Sequence, residues 1–396
     1  NTILLICYKA FLMSSVQILE KPFNDDLITK KEALKLLKIS KNELPKLIES
    51  ADNLRKDLKG EEVTYVVNRN INFTNFCIKG CRFCYFSQTL KAPELGYFRS
   101  EEELRSKVRE ASNLGVTEFC IQGGIHPEST LEMYQNILHI VHDEYESNTG
   151  KKVHIHAFSP EEIKRAVQVS KIPVDIVLAE LKNDGLGSLP GTAAEILNDD
   201  LRKKISPGRI KVAEWKDIIS KAHQLGIPTT STMMYGHVET PEHIIEHMNL
   251  LREIQISNRD KGLVGFTEFV PLRFINEWFE LPVSLKNTNP LLPPDKNDYR
   301  SQEEWDIRIH AIARLFFGNL IPNIQASYTK MGVNLTQKVL NAGGNDLGGT
   351  LMEENITNAA RKDKHSVLNV ERLTRIAKDI ERPVKQRTTL YADITN

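Results

Sequence analysis

Three cysteines in one short segment are the residues of this chain best suited to chemistry. Cys77, Cys81 and Cys84 lie within eight residues, shortly after the β-rich run 63–67. A cubane iron-sulfur cluster with four cysteines, or a structural zinc with four protein ligands, has every coordination position filled. Three cysteines leave one position open, and an open position is where a substrate or cofactor binds.

A zinc site completed by a histidine is the structural alternative for these cysteines. Zinc ligands usually follow one another at short spacing, and no histidine lies in the forty residues after Cys84. Cys120, in the middle of a predicted strand, is expected to be a buried thiol. The glycine-rich segment 343–349 lacks the Lys-Ser/Thr pair of a P-loop, so we expect its backbone to line a pocket.

The charge balance and the cysteine count restrict the class of protein. The 396 residues include 52 basic and 52 acidic side chains, which gives no electrostatic reason for binding nucleic acid or a membrane surface. The expected partner is therefore a small molecule. Five cysteines, three of them clustered, do not make a disulfide framework, so we expect a reducing, cytoplasmic compartment.

The N-terminal region precedes the main pattern. Segment 1–12 is apolar but too short to span a bilayer, and it lacks the basic start and cleavage site of a signal peptide. It is expected to be a frayed extension or sequence upstream of the true start. Helical spacing then predicts two short helices over 28–59, the first opened by a capping box of Thr29 and Glu32.

Strand-like runs alternate with amphipathic, charged segments along the rest of the chain. The eight runs are 64–73, 117–123, 153–158, 186–190, 228–235, 265–272, 323–328 and 345–347. The helical segments include 100–114, 131–146, 160–170, 214–225, 241–255 and 302–317. Parallel strands need a helical crossover, so the alternation predicts an α/β fold, a (β/α)8 TIM-type barrel, with a doubly wound open sheet as the alternative.

Domain boundaries follow from this pattern. They are an N-terminal extension with helices over 1–60, a barrel over 61–356, and a C-terminal helix and tail over 357–396. The proline-containing stretch 277–300 is expected to be a long loop over one end of the barrel. The extended stretch 387–391 is expected to pack back on the barrel.

Barrel active sites form at the carboxyl ends of the strands, so the residues after each run are the first candidates. The first run leads into the cysteines. The other strand-end segments with histidine, serine, carboxylate or glycine residues are 122–128, 156–159, 190–195, 235–239 and 343–350.

The spacing C-x3-C-x2-C, with an aromatic residue before the last cysteine, resembles that of the radical S-adenosylmethionine (SAM) superfamily. The resemblance implies that Cys77, Cys81 and Cys84 hold three irons of a 4Fe-4S cluster, and that the amino and carboxylate groups of an exchangeable SAM chelate the fourth. It also implies that a glycine pair, here Gly123 and Gly124, contacts the methionine moiety. Glycine suits a backbone that a ligand must approach closely.

Longer segments resemble the tyrosine-using subunit of FO synthase, the CofH family, which makes a deazaflavin precursor. They are 65–75, 122–128, 154–160, 189–195, 230–237 and 345–350, and the similarity runs from about Glu32 to near Tyr391. The resemblance implies a C–C bond-forming transferase that acts on L-tyrosine and 5-amino-6-(D-ribitylamino)uracil. An electron donor and a CofG-type partner subunit, which closes the deazaflavin ring, are implied as well.

The implied reaction begins with reductive cleavage of SAM to a 5′-deoxyadenosyl radical. That radical would take a hydrogen from the tyrosine amino group, and the Cα–Cβ bond would then break. The 4-hydroxybenzyl fragment would add to C5 of the uracil, giving 5-amino-5-(4-hydroxybenzyl)-6-(D-ribitylimino)-5,6-dihydrouracil.

Strand-end residues are the candidates for contacts with these ligands. Glu195 is expected near the ribose or amino group of SAM. The residues expected around the tyrosine and the uracil are His126, His156, Ser159, His237, Glu239 and Asp346. Packing explains each histidine equally well, although His154 and His156, two apart on a strand, must face the same side. Glu268, in mid-strand, is a candidate for the barrel interior.

Two other functions compete with this hypothesis. The futalosine-pathway radical SAM enzymes of menaquinone synthesis share the cluster motif and much of the barrel but act on other substrates. A non-catalytic iron-sulfur or zinc protein would use the cysteines for structure. The structural reading predicts that Cys81→Ala unfolds the chain, whereas the enzyme reading predicts a folded, cluster-free, inactive barrel.

Overall fold

The computed structural model describes residues 15–275, 302–350, 352 and 369–394. The apolar segment 1–12 and the predicted loop 277–300 lie outside these ranges. The helices are α1 Ser15–Glu20, α2 Lys30–Leu37, α3 Leu44–Lys59, α4 Glu101–Ser112, α5 Leu131–Thr149, α6 Pro160–Ser170, α7 Val174–Asn183, α8 Asp199–Ile205, α9 Val212–Gln224, α10 Pro241–Asp260, α11 Gln302–Phe317, α12 Tyr328–Met331, α13 Val333–Leu340 and α14 Val370–Lys378. The strands are β1 Val63–Val66, β2 Asn68–Ile71, β3 Glu118–Ile121, β4 His154–Ala157, β5 Leu186–Ser188, β6 Thr229–Tyr235, β7 Phe266–Arg273, β8 Asp346–Gly349 and β9 Val384–Gln386.

The strands pair in parallel and in the order of a (β/α)8 barrel, as predicted. β1 and β2 are one strand interrupted at Val67, and ladders connect β8 to β1, β2 to β3, β3 to β4, β4 to β5, and β6 to β7. Single parallel bridges supply the remaining neighbours, namely Leu189–Thr229, Phe269–Ile324 and Gln325–Asp346. The seventh predicted run contributes only the bridges of Ile324 and Gln325, because α12 begins at Tyr328.

Most predicted helices occur with bounds shifted by a few residues. The capping box forms, with Thr29 Oγ1 accepting from the amide of Glu32 and the Glu32 carboxylate accepting from the amide of Thr29. Helices α7 and α8 were not predicted. The α8 segment spans only 7 residues, too few for helical spacing to show, and its start is fixed by Asn198, whose side chain accepts from the amides of Asp200 and Leu201.

Helices α2 and α3 belong to the outer helical layer. Arg252 on α10 donates to the carbonyl of Ile28 at 2.6 Å, and Arg308 on α11 donates to the carbonyl of Ile39 at 3.0 Å. The apolar faces of these helices join the main hydrophobic core. None of the helices in the described part of the chain combines the length and the apolar character needed to cross a bilayer.

The C-terminal tail closes the amino ends of the strands. β9 pairs in parallel with β1, on the edge opposite β8. The Arg387 amide donates to the carbonyl of Tyr65 at 2.9 Å, which carries residues 387–391 beneath the barrel. The tail thus delivers Arg387 and Tyr391 to the end of the barrel that lies opposite the cysteines.

Candidate active site

One cavity of about 360 Å³ reaches from the cysteine segment to the tail. We call the part at the carboxyl ends of the strands the cluster end; it is lined by Cys77, Cys84, Gly123, Gly124, Glu195 and Arg209. We call the part at the amino ends the barrel base; it is lined by Glu118, His156, Glu268 and Arg387. The cysteine segment and the C-terminal tail therefore face one continuous cavity.

Backbone hydrogen bonds hold the cysteine segment against the barrel. The amide of Cys77 donates to Thr89 Oγ1 at 3.0 Å, and the amide of Ile78 donates to the carbonyl of Ile125 at 2.9 Å. Cys77 and Cys84 face the cavity, and Cys81 is buried behind them. The segment is thus fixed without using any of the three thiols as a structural tie.

Burial strongly disfavours ionisation of these thiols. Burial raises the pKa of Cys84 to about 11, and the nearby Cys77 thiol adds to the effect. The pKa of Cys81 is raised further, since burial and the other two thiols outweigh the attraction of Arg209. Three thiolates here require a cation or metal centre to stabilise them.

The donor set fits an iron-sulfur cluster. Cysteine thiolates are the usual ligands of such clusters, and each cysteine binds a different iron of a cubane, so the three sulfurs lie at separate corners. Within the described residues, no three His, Cys, Asp or Glu side chains are grouped as a single metal ion would require.

Arg209 links the cysteines to Glu195. Its Nη1 lies 3.6 Å from Cys81 Sγ, and its Nη2 donates to Glu195 Oε1 at 3.0 Å. The second oxygen of Glu195 accepts from Arg202 Nη1 at 3.2 Å. Glu195 has a φ of +42°, a left-handed conformation that costs free energy for a side chain other than glycine. Sequence reasoning singled out Glu195 but missed Arg209.

Gly123 and Gly124 are required by the packing of the cysteine segment itself. A Cβ at Gly124 would lie 2.3 Å from the carbonyl oxygen of Phe76, and one at Gly123 would lie 2.4 Å from the ring of Phe73. The amide of Gly124 donates to the carbonyl of Thr74 at 2.8 Å. The close approach that demands glycine is therefore that of the protein's own backbone and ring, while the other face of the pair lines the cavity.

Ser159 and Glu162 join two strand ends at the cavity wall. The Glu162 carboxylate accepts from the Ser159 amide at 2.7 Å, from its hydroxyl at 2.6 Å, and from the amide of Gly123 at 2.9 Å. Burial raises the pKa of Glu162 to about 7. Sequence reasoning named Ser159 but not Glu162, although the Ser-x-x-Glu spacing of a capping box marks the pair.

Two histidines at the barrel base share one serine. Ser188 Oγ lies 2.7 Å from His154 Nε2 and 2.7 Å from His156 Nδ1, so the hydroxyl donates to one ring and accepts from the other. Burial lowers the pKa of His156 to about 4, which leaves the ring neutral at pH 7. Glu118 is beside it, and Asn68 Nδ2 donates to Glu118 Oε1 at 2.7 Å.

Arg387 reaches the barrel base from the tail. Asp346 binds it through both carboxylate oxygens, with Nε–Oδ2 and Nη2–Oδ1 distances of 2.5 and 2.8 Å. The Arg387 guanidinium lies 3.8 Å from the centre of the Tyr391 ring, and the Tyr391 hydroxyl donates to Glu268 at 2.5 Å. Burial raises the pKa of Glu268 to about 7, although the positive charge of Arg387 acts to lower it.

Four residues expected around the substrates do not line the cavity, namely His126, His237, Glu239 and Asp346. The His126 ring packs 5.4 Å from the Phe76 ring and 5.6 Å from the Phe98 ring. Glu239 caps its own loop by accepting from the amides of Gly236 and His237 at 2.5 and 2.9 Å.

His237 and Asp346 are likewise bound by other groups of the protein. His237 Nε2 donates to the carbonyl of Met234 at 3.0 Å, and its Nδ1 accepts from the amide of Val238 at 2.7 Å. Strand β8 runs from Asp346 to Gly349, so Asp346 is its first residue. Asp346 therefore lies at the barrel base and not beyond the carboxyl end of the strand, where it was expected. It contacts the cavity lining through Arg387 and through the amide of Gly348.

The chain is similar to known proteins both in sequence and in fold. The sequence pattern of the radical SAM superfamily matches residues 71–251, and that of the CofH/MqnC C-terminal region matches 264–387. Among solved structures, methylornithine synthase PylB superposes with a TM-score of 0.66 at 18% identity, covering 93% of this chain and 97% of that one. The hydrogenase maturase HydG from Carboxydothermus hydrogenoformans gives 0.68 at 15% identity, covering 95% and 80%.

Relatives of much higher identity share one name, 5-amino-6-(D-ribitylamino)uracil–L-tyrosine 4-hydroxyphenyl transferase. The Methanopyrus kandleri protein is 44% identical over 349 residues, covering 88% of this chain and 89% of its own length. The Archaeoglobus fulgidus protein is 46% identical over 341 residues, covering 86% and 91%. The Methanocaldococcus jannaschii protein is 41% identical over 370 residues, covering 93% and 98%.

A parallel α/β barrel with a C-x3-C-x2-C segment at the carboxyl ends of its strands defines a radical SAM enzyme. Within that class, the chain belongs to the CofH family of 5-amino-6-(D-ribitylamino)uracil–L-tyrosine 4-hydroxyphenyl transferases.

Proposed function

We propose that this chain transfers the 4-hydroxybenzyl group of L-tyrosine to C5 of 5-amino-6-(D-ribitylamino)uracil, in the biosynthesis of the deazaflavin FO. The observation that carries the proposal is identity of 41–46% to transferases of that name over 86–93% of this chain. The cysteine segment, Glu118 and His156 lie within residues 71–251, which match the radical SAM superfamily, and Glu268 and Arg387 lie within residues 264–387, which match the CofH/MqnC C-terminal region. Because one cavity joins them, two substrates and a cofactor can meet in it.

Cys77, Cys81 and Cys84 would hold the 4Fe-4S cluster, and SAM would bind beside Gly123, Gly124 and Glu195. When bound, the cluster and SAM supply one-electron reductive cleavage and hydrogen-atom abstraction, which no side chain can provide. The chain itself supplies the compensating charge of Arg209, held by Glu195 at 3.0 Å.

The barrel residues position the substrates and exclude water. The tail seals one end of the cavity through the Tyr391–Glu268 contact, and apolar side chains such as Phe86 and Val270 line its wall. A reactive carbon centre abstracts hydrogen from whatever is nearest, so an enclosed site is required for selectivity. Polar groups at both ends of the cavity then fix the orientation of each ligand.

The reaction requires two further partners. An electron donor must reduce the cluster, and a CofG-type subunit would complete the deazaflavin ring. We place the protein in the cytoplasm, because a cluster bound by three cysteines needs a compartment that keeps thiols reduced.

The test is anaerobic reconstitution followed by product analysis. Protein reconstituted with iron and sulfide is given SAM, L-tyrosine, the diaminouracil and a strong reductant, and mass spectrometry should detect 5′-deoxyadenosine together with the coupled 4-hydroxybenzyl product. The same protein is also given futalosine-type substrates. Turnover of those substrates, or 5′-deoxyadenosine without a coupled product, would overturn the proposal.

A further inference from the structure

Charge is distributed unevenly along the cavity. At the carboxyl ends of the strands the lining includes three cations, Arg209, Arg273 and Lys330, and two acids, Glu162 and Glu195, of which Glu195 is paired with Arg209. At the barrel base, among the described residues, the lining acids are Glu118 and Glu268, and Arg387 is the lining cation. The two ends therefore favour different ligand groups.

The single cation of the described base is already neutralised. Asp346 holds Arg387 through both carboxylate oxygens, and Arg387 Nη1 donates to the carbonyl of Thr388 at 3.1 Å. The carboxylate of Asp346 is itself satisfied by Thr64 Oγ1 at 2.5 Å and the amide of Gly348 at 2.6 Å. This pair adds no net charge to the base.

The remaining acids give the base an excess of hydrogen-bond acceptors. Burial alone would raise the pKa of Glu118, but its neighbours, including the hydrogen bond from Asn68, hold the pKa below the ordinary value. One oxygen of Glu118 accepts from Asn68, and an ionised carboxylate has capacity for more donors. Glu268 accepts from Tyr391.

We propose that the barrel base is the subsite for 5-amino-6-(D-ribitylamino)uracil, with Glu118 and Glu268 accepting hydrogen bonds from its amino and hydroxyl groups. This assignment rests on the proposed function, because it chooses among the ligands of that reaction. The diaminouracil is uncharged and rich in N–H and O–H donors, so its groups match the acceptors of the base.

The other two ligands fit the opposite end. L-Tyrosine and SAM each carry an ammonium group, which Glu118 would attract, but also a carboxylate. At the described base that carboxylate would lack a partner in a low-dielectric site, because Arg387 is already held by Asp346. Arg273, the last residue of β7, and Lys330 on α12 lie toward the carboxyl ends of the strands, where a carboxylate is favoured. The cavity thus orders the two substrates along the barrel.

The test measures the KM for each of the two substrates separately. In reconstituted enzyme, Glu118→Gln keeps the size of the side chain and an acceptor for Asn68 but removes the charge. We expect the KM for the diaminouracil to rise on the order of 10- to 100-fold, and the KM for tyrosine to stay within about twofold. Equilibrium dialysis of the diaminouracil against the same protein should show a matching loss of affinity. Glu132→Gln, on the exposed first turn of α5, is the matched control and should change neither value.

Each outcome is decisive. A comparable rise in the KM for tyrosine, alone or together with that for the diaminouracil, or no change in either KM, would overturn the subsite assignment while leaving the proposed function intact. Failure of the unmodified enzyme to form the coupled product would count against the proposed function instead. If Glu118→Gln does not fold, Glu268→Gln is judged by the same two KM values.

Discussion

Arg209 Nη1 lies 3.6 Å from Cys81 Sγ, although the two residues are 128 positions apart in the chain. The guanidinium is held in place by Glu195, and the Arg209 side chain is only 13% exposed. A fixed positive charge beside a cluster ligand stabilises the reduced, more negative state of an iron-sulfur cluster. If Cys81 holds the 4Fe-4S cluster as proposed, this contact would let a residue remote in sequence influence the cluster directly.

Replacing that arginine should change the electrochemistry of the cluster. We expect Arg209→Gln to lower the midpoint potential by on the order of tens of millivolts, because it removes a buried positive charge and an N–H···S contact. The measurement is a redox titration followed by electron paramagnetic resonance without SAM. Arg82→Gln is the control, since Arg82 is exposed beside the same cysteine and its charge is screened by solvent. An equal shift in both variants would contradict a specific role for Arg209.

Loss of one cysteine should abolish the cluster and leave the fold intact. Backbone hydrogen bonds fix the segment, so Cys81→Ala should lose nearly all iron and sulfide and keep its Tm within about 5 °C. Iron and sulfide analysis and circular dichroism check this. Cys120→Ala, which alters a thiol in the same cavity, should retain the cluster. Unfolding of Cys81→Ala would favour a structural metal site.

Gly124→Ala should destabilise the protein through steric overlap. The added Cβ would lie 2.3 Å from the carbonyl oxygen of Phe76, so the cysteine segment must shift. We expect a loss of about 2–3 kcal/mol in the free energy of unfolding, measured with denaturant, together with reduced iron content. Gly115→Ala is the control because its Cβ meets nothing within 4 Å. Its φ of +68° should cost only about 1 kcal/mol.

Protonation of His247 should make the free energy of unfolding depend on pH. Its Nδ1 accepts from the Leu197 amide at 3.0 Å and its Nε2 donates to the Thr232 carbonyl at 3.0 Å, so a second ring proton would oppose an N–H group. Burial lowers the pKa of His247 to about 3, against an ordinary value of 6.5.

The unfolded chain binds a proton at this position before the folded chain does. Its contribution to stability is therefore complete above the ordinary pKa and falls as the pH drops from 6.5 toward 3. When the pH is lowered from about 7 to 5, the free energy of unfolding of the unmodified protein should decrease by about 2 kcal/mol more than that of His247→Gln. Identical pH dependence in urea titrations of the two proteins would show that His247 does not titrate in this way.

The sequence predicted features that depend on neighbours close in the chain. The alternation of strands and helices, the capping box of Thr29 and Glu32, and the spacing of the three cysteines all survive in the structure. Each is read from residues a few positions apart, whose spacing reflects the period of the element that contains them.

The direction of the side chains at the strand ends could not be predicted from such local spacing. His237 and Glu239 follow a strand, as active-site residues of barrels do, yet they satisfy the backbone of their own loop. Arg209 and Glu162 occur in charged stretches that resemble solvated surface, yet both are buried in the cavity wall. A buried charge is held there by partners distant in sequence, which local pattern does not reveal.

The sequence alone determined the barrel and the three-cysteine motif, because both depend on the spacing of residues that are close together in the chain. The tertiary structure decided which charges face the cavity, including the delivery of Arg387 to Asp346 by a tail strand that pairs with β1. The physical reason is that burying a charge requires compensation, and its compensating partner arrives only when distant segments pack together.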